Sequence, residues 1–147
     1  MLRTLLVVLL SGAASVASAE PAKKIEVGSI ADSSTKSATE RRANTDAARR
    51  AVARIEALGP SGEPCIIDLT IVKTSIEPAG SGRVIATAEV QVVVSDPRGE
   101  MQSVASSKSI VEVPGSAARK QAARVDAIDA AVHSVLGKAR GTVVAAQ

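Results

Sequence analysis

From Val84 to Val94 every even position is apolar: Val84, Ala86, Ala88, Val90, Val92 and Val94. The odd positions read Arg83, Ile85, Thr87, Glu89, Gln91 and Val93. Successive strand side chains point to opposite faces, so this run has one oily face and one mixed face. A helix would scatter the even positions around its whole circumference. The run is therefore a strand whose apolar face must be covered, and the rest of the chain is placed relative to it.

Its partner is the stretch before it. Cys65, Ile67, Leu69 and Ile71 alternate against Ile66, Asp68 and Thr70, and then the phase slips to Val72, Thr74 and Ile76. A bulge near Val72 or Lys73 returns the apolar side chains to the core face. Glu77 to Gly82 supplies the turn of a hairpin, with two glycines available for positive φ. Ser95 to Glu100 makes another turn, and Met101 to Val113 reads as a third strand. Its odd positions are mostly small (Ser103, Ala105, Ser107, Ser109), which lets a helix approach closely.

Two amphipathic helices flank these strands. Ser37-Ala38-Thr39-Glu40 spells a capping box, in which Ser and Glu side chains satisfy the free N–H groups at a helix start. That helix is expected to run to Leu58, stopped by Gly59-Pro60, with Ala48, Ala51, Val52, Ile55 and Leu58 on its apolar face. Asp46 stands four residues before Arg50, the spacing of a solvated helical ion pair. Pro114-Gly115-Ser116 opens a second helix near Ala117 to Leu136, with Ala118, Gln121, Val125, Ile128, Val132, Val135 and Leu136 as its stripe. Gly137 or Gly141 is expected to end it. The fold expected is α+β: a three-stranded antiparallel meander with both helices packed on one face, in the order α-β-β-β-α.

Residues 1–19 read as a secretory signal: Arg3, the apolar run Leu5 to Leu10, then Ala17-Ser18-Ala19 before Glu20. The apolar run falls short of the about 20 residues that span a bilayer. The nearest cysteine, Cys65, lies far downstream, so the mature chain is expected to be soluble, without a lipid anchor or a transmembrane segment, in the periplasm or secreted. Residues 20–36 read as a flexible tether or a short edge strand around Ile25-Glu26-Val27, with the tether preferred. Residues 37–139 form one domain and 140–147 a frayed tail.

Composition narrows the function classes. The formal charge is +3, one unit less without Arg3, and there is no Phe, Tyr or Trp. A nearly balanced chain without aromatic platforms offers nucleic acid neither a charged track nor a stacking surface. A lone cysteine cannot form an internal disulfide. Cys65 at the head of an apolar strand face reads as a small buried hydrophobe, with an intermolecular bridge or a reactive thiol as the sharper alternative.

Reactive constellations are scarce. Ser33-Ser34-Thr35-Lys36 matches the Ser-x-x-Lys spelling of penicillin-recognising acyl enzymes, but the companion Ser-Asp-Asn and Lys-Thr-Gly motifs are missing. His133 follows Asp129 by one helical turn, an arrangement expected to be a surface hydrogen bond. Gly80-Ser81-Gly82 lacks the third glycine and following helix of a dinucleotide loop. No metal-ligand spacing, cofactor motif or catalytic set is found, and the chain is read as a non-enzyme.

The mixed sheet face is more informative. Ile66, Ile85, Val93, Val104 and Ile110 are expected to point away from the helices. They mark a partner face for a protein or for a second copy of the chain, with strand addition at an exposed edge as another docking mode. The run from Ile67 to Val113, followed by the alanine-rich helix through Asp126 to Gly137, resembles uncharacterised exported domains, some appended to HEAT-repeat proteins. The resemblance is one of pattern (strand, turn, strand, Asp-Pro-x-Gly turn, small-residue strand, helix) and implies no activity. The function expected is an exported binding or adaptor module of the cell envelope. The alternative is a small-ligand or peptide binder of inhibitor type, using a groove between sheet and helices.

Overall fold

The computed structural model describes residues 24–55 and 63–145, with side chains to residue 140. The signal-like residues 1–19 and the expected stop at Gly59-Pro60 lie outside the described residues. Six elements follow one another: β1 (Ile25–Asp32), α1 (Ala38–Ala53), β2 (Cys65–Gly80), β3 (Arg83–Ser95), β4 (Met101–Pro114) and α2 (Ala117–Ala145). The strands make one mixed sheet in the order β1-β2-β3-β4.

β3 is the strand that the alternation demands. Its even positions from Val84 to Val94 are all buried, and five of the six are at most 1% exposed. β2 and β4 flank it antiparallel. The phase slip in β2 is a bulge: the register jumps between Ile71 and Lys73, leaving Val72 without a partner. Past it, Thr74 and Ile76 sit opposite Ala88 and Ala86, back on the core side. The β2–β3 turn is tighter than the six residues expected, because β2 pairs through Pro78 and Gly80. Ser81 and Gly82 form the tip with φ of 51° and 70°, the left-handed pair that suits the twist of a two-residue hairpin.

The sheet has a fourth strand in place of the expected tether. β1 runs parallel to β2, from Ile25 opposite Cys65 to Asp32 opposite Ile71, and α1 is the crossover between them. The edge-strand alternative is the right one, and the layout becomes β-α-β-β-β-α. A register shift between Val27 and Ser29 hides β1 from simple alternation, since it puts Ile25, Ile30 and Asp32 on one face across a break in parity. Gly28 at that break has Asp68 against it: an added Cβ would lie 2.7 Å from Asp68 Oδ1.

Both helices cover the same face. Ala47, Ala48, Ala51 and Val52 of α1 join Ala123, Ala127, Ile128, Ala131, Val132, Val135, Leu136 and Ala139 of α2 over Ile67, Leu69 and Ile71 and the even positions of β3. The expected α2 stripe is partly displaced, because Ala118 and Gln121 are exposed and four alanines take the inner positions. Small residues let α2 lie close on β4, where Ser103 and Ser107 are buried and Ser107 Oγ donates to Ser134 Oγ at 2.6 Å. α1 closes earlier than Leu58, with Arg54 as its C-cap donating to the carbonyls of Ala51 and Val52. α2 runs past Gly137 and Gly141, and burial of Val132, Val135, Leu136 and Ala139 outweighs the roughly 1 kcal/mol that each helical glycine costs. Among the described residues no helix is long and apolar enough to cross a membrane.

A charge at the centre of β3 tests this arrangement. Val90 is fully buried. Val90→Asp forfeits roughly 1.5–3 kcal/mol of burial and adds an unpaired charge, against a typical total stability of about 5–15 kcal/mol. The expected outcome is loss of soluble protein and of the thermal transition, whereas Gln91→Asp, one residue along on the exposed side, leaves both nearly unchanged.

Candidate functional site

Polar chemistry gathers where β1 leaves the sheet. Asp32 and Asn44 are buried, and Asn44 Nδ2 donates to Asp32 Oδ2 at 2.8 Å. The other carboxylate oxygen accepts from Ser34 N at 2.7 Å and Ser34 Oγ at 2.6 Å, and Ser34 Oγ meets Thr74 Oγ1 at 2.9 Å. Ser33 Oγ donates to the Ile71 carbonyl. These bonds tie the β1–α1 connection to both α1 and β2, and they satisfy both Asp32 oxygens. Ser33 thus sits on a loop fastened to β2, ahead of the helix start that Ser-x-x-Lys chemistry needs.

The capping box is half formed. Ser37 is the N-cap and its Oγ accepts from Glu40 N. The Glu40 side chain does not return to Ser37: it accepts from Thr35 Oγ1 at 2.8 Å and pairs with Arg124 of α2 at 3.2 Å. The Thr35 hydroxyl, then Arg124, hold the Glu40 carboxyl below its ordinary range. The Asp96 carboxyl is held low in the same way by the Glu100 backbone N–H and by Arg98.

The remaining sequence candidates come apart in space. Asp129 pairs with Arg54 across the two helices, and His133 Nε2 lies 3.9 Å from the same carboxylate oxygen. Ser134, next to His133 in sequence, turns instead to Ser107. Asp46 pairs with Arg49 at 3.1 Å rather than with Arg50. Cys65 is half-buried and unbridged, and burial pushes its thiol up, away from the reactive thiolate. Among the described residues no three His, Cys, Asp or Glu side chains converge on a point where a metal could sit.

The sheet face opposite the helices holds the five expected partner-face residues. Val104 and Ile110 are 48% and 61% exposed, while Ile66, Ile85 and Val93 are half-buried. The register splits them. Val93 stands directly opposite Val104, with Ile66 diagonal to Val93; Ile85 is diagonal to Ile110 at the other end. Between the groups run two polar rows, Thr70–Gln91–Ser106 and Lys73–Glu89–Lys108, the second setting a carboxylate between two ammonium groups. Met101, 66% exposed at the Val104 end, is a further exposed apolar residue that strand parity alone assigns to the other face. A register shift between Val94 and Ser95 brings Met101 opposite Ser95, and only the pairing reveals it.

No family model and no curated protein matches the chain. Among solved structures it is similar to a lipoprotein candidate from Caulobacter crescentus CB15, with 12% identity and a TM-score of 0.43 over 78% of this chain and 86% of that one. It is also similar to a minor lipoprotein from Acinetobacter baumannii, with 10% identity and a TM-score of 0.45 over 81% and 92% of the two chains.

Two measurements probe these contacts. Asn44→Ala strips Asp32 of a buried donor and is expected to cost about 1–3 kcal/mol in denaturant unfolding. The second concerns acid. A carboxyl held low in the folded chain stabilises it above the ordinary carboxylate range, and that contribution disappears as pH falls through the lowered value. Stability is therefore expected to drop on acidification. Glu40→Gln should start from a lower stability at neutral pH and show a shallower loss in an acid titration followed by circular dichroism.

Proposed function

We propose that the chain is an exported, non-enzymatic binding module that presents its uncovered sheet face to a protein partner in the cell envelope. One observation carries the reading: both helices lie on the same side of the sheet, so the opposite side keeps Val104 and Ile110 in water. Exposed aliphatic side chains held on a hydrogen-bonded sheet are what a partner can desolvate with little ordering of the surface it binds. The signal-like residues 1–19 support export. Polar rows between the apolar groups would give such a contact its register, since each row must meet matching charges or hydrogen-bonding groups.

A groove between sheet and helices, as an inhibitor-like ligand binder would need, is less well supported. That space is filled by Ile67, Leu69, Ile71, Val90, Val92, Ile128 and Val132, all at 0% exposure.

The test compares three forms of the mature chain (from residue 20) as immobilised bait for envelope extract. Wild type and an Arg42→Glu form, altered on the exposed side of α1, are expected to retain the same partner. A Val104→Asp, Ile110→Asp form should lose it while its melting temperature stays within a few degrees. A partner retained by the sheet-face form, or lost from the α1 form, rules against this surface.

A further inference from the structure

β4 is one of the two edge strands of the sheet, and three of the five exposed large apolar residues among the described residues lie on it: Met101, Val104 and Ile110. Its backbone pattern fixes which groups are free to pair. Gly115 N donates to the Gly82 carbonyl at 2.8 Å, and Gly82 and Gly115 extend the β3–β4 ladder by one pair beyond Arg83–Pro114. Hydrogen-bonded pairs alternate along an antiparallel ladder, so the odd residues of β4 bond to β3. The N–H and C=O groups of Val104, Ser106, Lys108, Ile110 and Glu112 therefore point outward along the open edge; at Gln102 the register shift interrupts the alternation.

We propose that this edge pairs with the same edge of a second copy, antiparallel about a two-fold axis at Ser107; the inference rests on the binding reading above, whose sheet face the pairing would extend. Val104 and Ile110 lie three residues to either side of Ser107. A two-fold there sets Val104 opposite the second copy's Ile110, and Ser106 opposite Lys108. No like charges meet, and the outward-pointing backbone groups are the ones brought together. Shifting the axis by one residue to Lys108 would stack two lysines, and an axis at Ile110 would leave the Met101 end unpaired. The Ser107 axis alone centres the pairing on the regular stretch from Ser103 to Val111.

The pairing also completes the face. In one copy Val93 and Val104 form a row that ends at the edge. In the pair, Ile110 of the second copy continues that row, and symmetry repeats it at the other end. Two interrupted patches become two rows, each three aliphatic residues wide. Lys138 Nζ donates to the Ser106 carbonyl at 3.0 Å, an acceptor on this open edge. A lysine at an edge is a common guard against uncontrolled strand addition, and here it has to share or yield that acceptor, which weakens the association.

The test is register-specific cross-linking in a Cys65→Ser background. The double variant Val104→Cys, Ile110→Cys places thiols about 5.5 Å apart at Cα between copies, within disulfide reach, and is expected to form a covalent dimer on mild oxidation. Either single variant leaves its two thiols roughly 20 Å apart and should stay monomeric. Ser106→Pro removes an edge N–H that the fold does not use; it should keep its circular dichroism and abolish the dimer in sedimentation velocity. Failure of the double variant to cross-link, or dimers equally abundant in the single variants, overturns the proposal. If cross-linking fails while envelope capture still depends on Val104 and Ile110, self-pairing is wrong and the sheet-face reading stands. Specific cross-linking without any envelope capture leaves self-pairing standing and removes the separate partner.

Discussion

The burial of one side of β3 is what everything else depends on. The strand bonds to neighbours on both edges, and its inner positions are only valine and alanine. A core without aromatic rings gains little contact area per residue, so it must gain by closeness. Alanines on the inner sides of both helices and serines on β4 supply that closeness. Shortening the side chains on each partner brings backbones near enough for dispersion contacts that longer residues would otherwise make at their tips.

Legibility followed the strength of each periodic signal. β3 was readable residue by residue, because eleven residues alternate without a break. The β2 bulge was also readable, since the phase slip at Val72 has no other cheap resolution. β1 was not, because its own slip at Gly28 falls in the middle of eight residues and leaves too few on either side to establish a period. The ends of the helices depart from expectation for opposite reasons. A glycine-proline pair suggested a later stop for α1 than Arg54 imposes, and two glycines suggested an earlier stop for α2 than its packing allows.

The candidate face was legible as a set of residues and illegible as a shape. Parity alone assigns Ile66, Ile85, Val93, Val104 and Ile110 to one side. It says nothing about which lie abreast, because that depends on how far each strand slides along its neighbour. The offset across the two hairpins joins Val93 to Val104 and carries Ile110 away from both. The polar cluster around Asp32 escaped for a related reason: its members Asp32, Ser34, Asn44 and Thr74 are spread over three elements, and their spacing in the chain has no motif to read.

The parallel ladder of β1 fixes where the chain enters the fold. The Lys24 carbonyl accepts from Cys65 N, and Ile25 starts its ladder at that same end of the sheet, close to Ile66, Ser95 and Met101. Ile25 and Cys65 therefore start their strands at the end of the sheet away from the Ser81–Gly82 tip. Because β1 and β2 run parallel, the chain leaving Asp32 has to travel back the length of the sheet before Cys65 can start the second strand, so α1 is both half of the cover over the core and the spacer that sets how far β1 slides along its neighbour.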